Sequence, residues 1–198
     1  MKLTNVLIVI LILVIVAALV YSIFYNKPLS SYIPIQIGNS QNNNSQTPIV
    51  SGTLDLSSKN LSSFNVNSIS NQNQVKVLNL SNNNFKSLPS EIGQFVNVEE
   101  LYLDNNLLEG SMVAEIRKMP RLRILSAKNN NLTGIPAEIG QLSNLVTVDF
   151  SNNSLDSMPN EIQNIKNNLK TFNLSGNRYS EQKKQEIKSM LPNTNVIF

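Results

Sequence analysis

The chain has 198 residues, 41% hydrophobic and 15% charged, with a formal net charge of +3 and a pI near 9.1. It contains no Cys, His or Trp, which excludes disulfides, thiolate metal sites, cysteine nucleophiles and the usual imidazole base or ligand. All 13 acidic residues and all but Lys2 and Lys27 of the 16 basic ones lie beyond residue 50. The charge excess there is small, and no basic cluster marks a nucleic-acid surface.

Residues 1–25 hold an unbroken apolar run from Val6 to Val20, continued by Tyr21, Ile23, Phe24 and Tyr25. As a helix, 6–25 would be ~30 Å long, matching the hydrocarbon core of a bilayer. Tyr21 and Tyr25 would sit at the interface that amphipathic rings favour. The run has no polar face, so it does not fit a buried core helix, and a single-pass transmembrane signal-anchor helix is expected. The alternative is a signal peptide cleaved after Ala18, giving a secreted protein, but apolar residues continue past that site with no polar stretch. Lys2 and Lys27 flank the run and bias its orientation weakly toward a cytoplasmic amino end. The stretch up to Asp55 carries no further charge, so the rest of the chain is expected on the extracytoplasmic side.

Residues 26–49 are rich in Pro, Ser, Gln and Asn, including Asn42, Asn43 and Asn44, and show no helical or strand period. That composition predicts a disordered polar linker.

Residues 50–198 repeat one phrase, L-x-x-L-x-L-x-x-N-x-L, roughly every 23 or 24 residues. Successive copies place Val75, Leu78, Leu80, Asn83 and Phe85 on it; then Val98, Leu101, Leu103, Asn106 and Leu108; then Leu122, Leu125, Ala127, Asn130 and Leu132. Two more follow, with Leu145, Val148, Phe150, Asn153 and Leu155, and with Leu169, Phe172, Leu174, Asn177 and Tyr179. Alternation as at Leu78 and Leu80 predicts a short strand with one buried face. A second apolar set, such as Leu88, Ile92 and Phe95, has helical spacing, so each repeat should be a strand, a turn and a helical or 3-10 segment. One coil cannot enclose a core, but stacked coils share one.

This phrase resembles the consensus of the leucine-rich-repeat family, and the chain is similar to a membrane-anchored bacterial member. The resemblance covers about three quarters of the chain. It implies a right-handed α/β solenoid of about six coils, preceded here by the transmembrane helix, and a role in protein binding.

The ladder asparagines Asn83, Asn106, Asn130, Asn153 and Asn177 fall where the chain turns inward and leaves backbone groups buried. An amide donates and accepts at once, so stacked Asn side chains can satisfy them. Asn82 and Asn84 flank Asn83 on the solvent side and are expected to matter little. The first copy has Lys59 at the ladder position, as suits an N-terminal cap with solvent on one side. At the other end, a helix from about Ser180 to Met190 and a final short strand should close the stack.

The outward strand positions should line the concave face that repeat proteins use for binding. One column is Asp55, Asn79, Tyr102, Ser126, Asp149 and Asn173; its neighbour is Thr53, Val77, Glu100, Ile124, Thr147 and Thr171. An aromatic and an Arg anchor inside a polar rim suit a hot spot. The expected ligand site is therefore Val77, Glu100, Tyr102, Asp104, Arg123, Ile124 and Lys128, with Val77 and Ile124 beside Tyr102. An ordinary mixed surface is the bland alternative. Glu91, Glu115, Glu138 and Glu161 also align, but Pro and Glu at a helix start explain them without a cation. No metal, cofactor or catalytic pair is expected, because nothing outside the repeat offers paired carboxylates or a Ser-Lys pair. The expected function is a non-catalytic, membrane-anchored recognition module for a protein or cell-envelope ligand, with a structural scaffold as the alternative.

Overall fold

Each copy of the phrase closes one coil, beginning with a three-residue strand whose middle side chain points inward. The computed structural model describes residues 49–198. The anchor expected over 1–25 and the linker expected over 26–49, its last residue excepted, lie outside the described residues. Ile49 already packs on the core, and Ser45–Phe198 forms one compact unit.

The strands, in chain order, are β1 (Thr53–Asp55), β2 (Val77–Asn79), β3 (Glu100–Tyr102), β4 (Glu109–Ser111), β5 (Ile124–Ser126), β6 (Asn131–Gly134), β7 (Thr147–Asp149), β8 (Thr171–Asn173) and β9 (Asn195–Ile197). Seven of them pair in parallel in the order β1-β2-β3-β5-β7-β8-β9. Leu54, Leu78, Leu101, Leu125, Val148 and Phe172 stack on the inner side of this sheet, all fully buried. The opposite side faces solvent.

The apolar residues at helical spacing form short 3-10 segments: Ser90–Gln94, Ala114–Lys118, Ala137–Gln141 and Asn160–Ile165. Three-residue turns put Ile92 and Phe95 one above the other, so both enter the core within a single short segment. Pro89, Pro136 and Pro159 precede these segments with extended backbone, one position earlier than a helix-start Pro would sit. Neighbouring segments approach closely. A Cβ built on Gly140 would lie 2.2 Å from the carbonyl oxygen of Glu161 in the next coil.

The third copy has one residue more than its neighbours between the ladder Asn and the 3-10 segment, and the chain absorbs it beside β4. Gly110 adopts φ +70 there, and the pairing of β4 with β6 slips between Gly110 and Ser111. Such a bulge keeps an insertion out of the main sheet.

The core is continuous from Leu54 to Leu191, with Phe150 and Phe172 packed edge to face at 6.2 Å. At the amino end Val50 forms an antiparallel bridge with Thr53 in a tight turn and stays exposed. At the carboxyl end, helix α1 (Glu181–Met190) starts at Ser180, whose hydroxyl accepts from the Lys183 N–H, and buries Ile187. The ring of Phe198 lies against Tyr179, with Lys184 and Lys188 over its face.

Candidate binding face

The ladder asparagines are buried where the strands end. Asn130 Nδ2 donates to the carbonyls of Leu103, Ala127 and Lys128, and its Oδ1 accepts from the Leu108 N–H at 3.0 Å. Asn106 and Asn153 repeat this arrangement. So does Asn177, which is half-buried. Asn83 Oδ1 accepts from both Lys59 N and Leu61 N, completing the coil that has Lys59 at its own ladder position. Among the described residues, no buried side-chain polar atom lacks a partner.

A second column of amides runs beside the first. Asn82, Asn105, Asn129 and Asn152 hold left-handed backbone, with φ between 54 and 58. Their exposed side chains donate in series: Asn105 to Asn82 at 2.8 Å, Asn129 to Asn105 at 2.7 Å and Asn152 to Asn129 at 2.8 Å. In the next coil this place is held by Gly176, also at positive φ. The expectation that only the buried asparagine counts is thus corrected for Asn82. It tolerates a conformation that costs most residues about 1–2 kcal/mol, and it accepts a rung of the outer ladder. The signal was present as an Asn doublet in successive copies.

The outward face of the sheet divides into occupied and available side chains. Asp55, Asn79, Asp149 and Asn173 each accept from the N–H two residues on, a local turn contact that gives them structural work. Ser126 is buried and donates its hydroxyl to Asp104, which also pairs with Lys128 at 3.6 Å. Tyr102 holds the position of those Asx residues but bonds differently. Its hydroxyl donates to Glu100 at 2.8 Å. Partial burial, then the bond to Glu100 and the charges of Glu100 and Asp104, push the Tyr102 phenol up to about 12.

Tyr102 lies level with Asn79 and Ser126, not with Val77 and Ile124. Those two flank Glu100 on either side, half-buried, in the adjoining column. Val77, Glu100, Ile124 and Tyr102 thus form one patch of two aliphatic side chains around a hydrogen-bonded carboxylate and phenol. Arg123 is exposed one residue before β5, on the edge of the sheet, and Glu99 beside it pairs with Lys76 at 3.6 Å. Asp104 and Lys128 hold each other at the opposite edge. The aligned Glu91, Glu115, Glu138 and Glu161 occupy first turns of the 3-10 segments, away from the sheet, and Glu138 pairs with Arg117.

The fold and the ladder define a leucine-rich-repeat solenoid, the kind of scaffold generally used to bind or recognise proteins rather than to catalyse. Three stretches, residues 74–95, 121–142 and 144–165, match the Leucine Rich Repeat family model. The copy between the first two is the one lengthened beside Gly110. No curated protein matches the chain. Among solved structures, a leucine-rich-repeat protein of Leptospira interrogans is similar at 32% identity and TM-score 0.64, covering 69% of this chain and 34% of that one. The plant peptide hormone receptor RGFR1, solved in complex with RGF2, shares 27% identity and TM-score 0.53, covering 63% of this chain and 20% of the receptor. An internalin of Listeria monocytogenes has the same fold at 19% identity and TM-score 0.55, covering 67% of this chain and 37% of that one. This chain therefore spans between 20% and 37% of the length of these proteins. Together these likenesses support a place in the leucine-rich-repeat family.

Proposed function

We propose that residues 45–198 form a non-catalytic recognition module that binds a protein or cell-envelope ligand on the open face of the sheet. In this reading residues 6–25 hold it in a membrane, with the repeats on the extracytoplasmic side. The observation that carries it is the patch of Val77, Glu100, Tyr102 and Ile124. Elsewhere on that face Asp55, Asn79, Ser126, Asp149 and Asn173 serve the fold, whereas here two aliphatic groups and an aromatic remain for a partner. Glu100 and Tyr102 are already oriented by their mutual bond, which lowers the ordering cost of a contact. Arg123 at one edge and the Asp104–Lys128 pair at the other supply a charged rim. The likeness to a peptide hormone receptor solved with its ligand favours recognition over mere spacing of other proteins.

The test is capture from detergent-solubilised envelope fractions on immobilised 45–198, followed by affinity measurements on the captured partner. Tyr102→Ala should weaken binding by about 2 kcal/mol, or roughly thirtyfold, while changing stability by less than about 1 kcal/mol. Lys86→Ala, off the sheet, should change neither. Unaltered affinity in Tyr102→Ala and Ile124→Ala, with the fold intact, would remove the site from this face. For the anchor, the full chain should resist extraction from membranes by carbonate; release would point to a cleaved leader.

A further inference from the structure

Scattered basic residues come together on one edge of the stack. The sheet has two edges: one where the strands end and the ladders run, and one where the chain returns from each 3-10 segment into the next strand. On the return edge, backbone N–H groups link rung to rung, Glu99 to Lys76, Arg123 to Glu99, Val146 to Arg123 and Lys170 to Val146. The asparagines behind them do the same with side chains, Asn97 to the Asn73 carbonyl, Asn144 to Pro120 and Asn168 to Ser143. Where an Asn would continue that series after Asn97, the chain has Arg121. No basic cluster was apparent in the sequence because Lys76, the Arg121–Arg123 pair and the Lys166–Lys170 pair are two coils apart from one another.

Lys76, Arg121, Arg123, Lys166 and Lys170 are all exposed on this edge. Glu99 is its sole carboxylate among the described residues, and Lys76 holds it. Arg121, Arg123, Lys166 and Lys170 have no ion pair among the described residues. Otherwise the edge is Asn, Gln, Ser, Pro and Val. Glu91, Glu115, Glu138 and Glu161 stand in the first turns of the 3-10 segments, away from this edge, while Arg121 follows Ala114–Lys118 and Lys166 follows Asn160–Ile165.

We propose that this return edge is a docking surface for a membrane rich in anionic lipid headgroups. The cations of the strand-entry row, Lys76, Arg123 and Lys170, recur every second rung, about 10 Å apart at the usual strand spacing. Arg121, in the asparagine row, and Lys166, at the end of its 3-10 segment, stand behind them at different depths, so the charges form a two-dimensional array. A plane of anions meets all of them at once, whereas a single acidic strand follows one row. Basic residues near an anionic surface gain attraction that falls off within a Debye length, and no apolar insertion is needed. The edge is separate from the Val77–Tyr102 patch, so a module lying on it would keep its open face beside the membrane and accessible. The proposal adds an orientation to the anchored module but rests on the edge geometry alone, so it stands even if residues 6–25 are a cleaved leader.

The experiment is flotation of 45–198, which carries the whole described core and the carboxyl-terminal closure, with vesicles of equal parts phosphatidylcholine and phosphatidylglycerol. Binding should be absent on pure phosphatidylcholine and should fall steeply with salt. Replacing Arg121, Lys166 and Lys170 together by Gln should lower partitioning by roughly two orders of magnitude, given the attraction per cation near such a surface. The matched control replaces Lys59, Lys86 and Arg178, on the opposite edge, by Gln. That variant loses the same net charge and should retain most of the binding. Equal partition into both vesicle types, equal loss in the two triple variants at unchanged melting temperature, or binding to poly-L-glutamate but not to vesicles would each overturn the proposal. None of these outcomes touches the capture result for Tyr102→Ala, so the two readings fail separately.

Discussion

Residues Asn129, Asn130 and Asn131 are chemically identical neighbours with three different duties, and alanine substitution should separate them. Removing the Asn130 amide does not strand every group it touches. The Leu103 carbonyl still accepts from Asn106, and the Ala127 carbonyl still accepts from Asn153. The Lys128 carbonyl likewise keeps the Asn105 N–H. The Leu108 N–H has no acceptor but Asn130 Oδ1 and is buried. One orphaned buried donor costs about 1–3 kcal/mol, and three carbonyls that each keep another donor add up to about 1 kcal/mol. Asn130→Ala should therefore destabilise by about 3 kcal/mol. Asn129→Ala places a Cβ-bearing residue without a local partner at φ 57 and should cost about 1 kcal/mol. Asn129→Gly restores the backbone freedom and removes only exposed amide bonds, so it should stay within about 0.5 kcal/mol. Asn131→Ala, exposed, should do the same. Equilibrium urea unfolding of 45–198 followed by far-UV circular dichroism gives the order. The reasoning fails if Asn129→Gly is as damaging as Asn129→Ala, or if Asn130→Ala is no worse than either. Asn82, Asn83 and Asn84 should follow the same ranking.

Gly140→Ala should destabilise by about 2 kcal/mol, because the new methyl meets the Glu161 backbone. Gly93→Ala should cost less, since its closest contact is the flexible Lys118 side chain at 2.8 Å; thermal melts that rank them the other way would refute the stacking geometry. The raised Tyr102 pKa predicts a pH dependence with a definite sign. The unfolded phenol ionises near 10.0 and the folded one at about 12, so this contribution is intact below pH 10 and is lost as pH rises toward 12. Tyr179 shifts the same way, mainly through burial. Tyr102→Phe should flatten the alkaline loss of stability in part, and an unchanged slope would show that burial and Glu100 do not raise the Tyr102 phenol in the folded chain.

The sheet was legible because Leu78 and Leu80, and their equivalents in each copy, have no other reason to alternate at a fixed interval from an Asn. Registers such as Val77 beside Glu100 beside Ile124 followed from aligning the copies. The Tyr102 neighbourhood was less legible. Aligning the copies already put Val77 and Ile124 in the adjoining column, but pattern alone could not show that Tyr102 turns to Glu100 where Asp55 and Asn79 make a local turn contact. Asn82 was misjudged because exposure hides a backbone requirement: its left-handed φ is a property of the turn. The basic edge was hidden for a different reason. Arg123 and Lys170 are far apart in the chain and become neighbours two rungs apart only when the coils stack.

The buried ladder is also directional. Each Asn accepts from backbone N–H groups 21 to 24 residues earlier in the chain. A coil is therefore finished by the one that follows it, never by itself. On a ribosome, which delivers the amino end first, every newly emerged coil waits with an unmet donor until the next ladder Asn clears the exit tunnel. Folding can trail synthesis by one coil but cannot overtake it. After the Asn177 coil the chain supplies α1 and β9 in place of another ladder Asn. Truncation within the final residues would thus leave the stack in the condition of an unfinished nascent chain, with its terminal coil open.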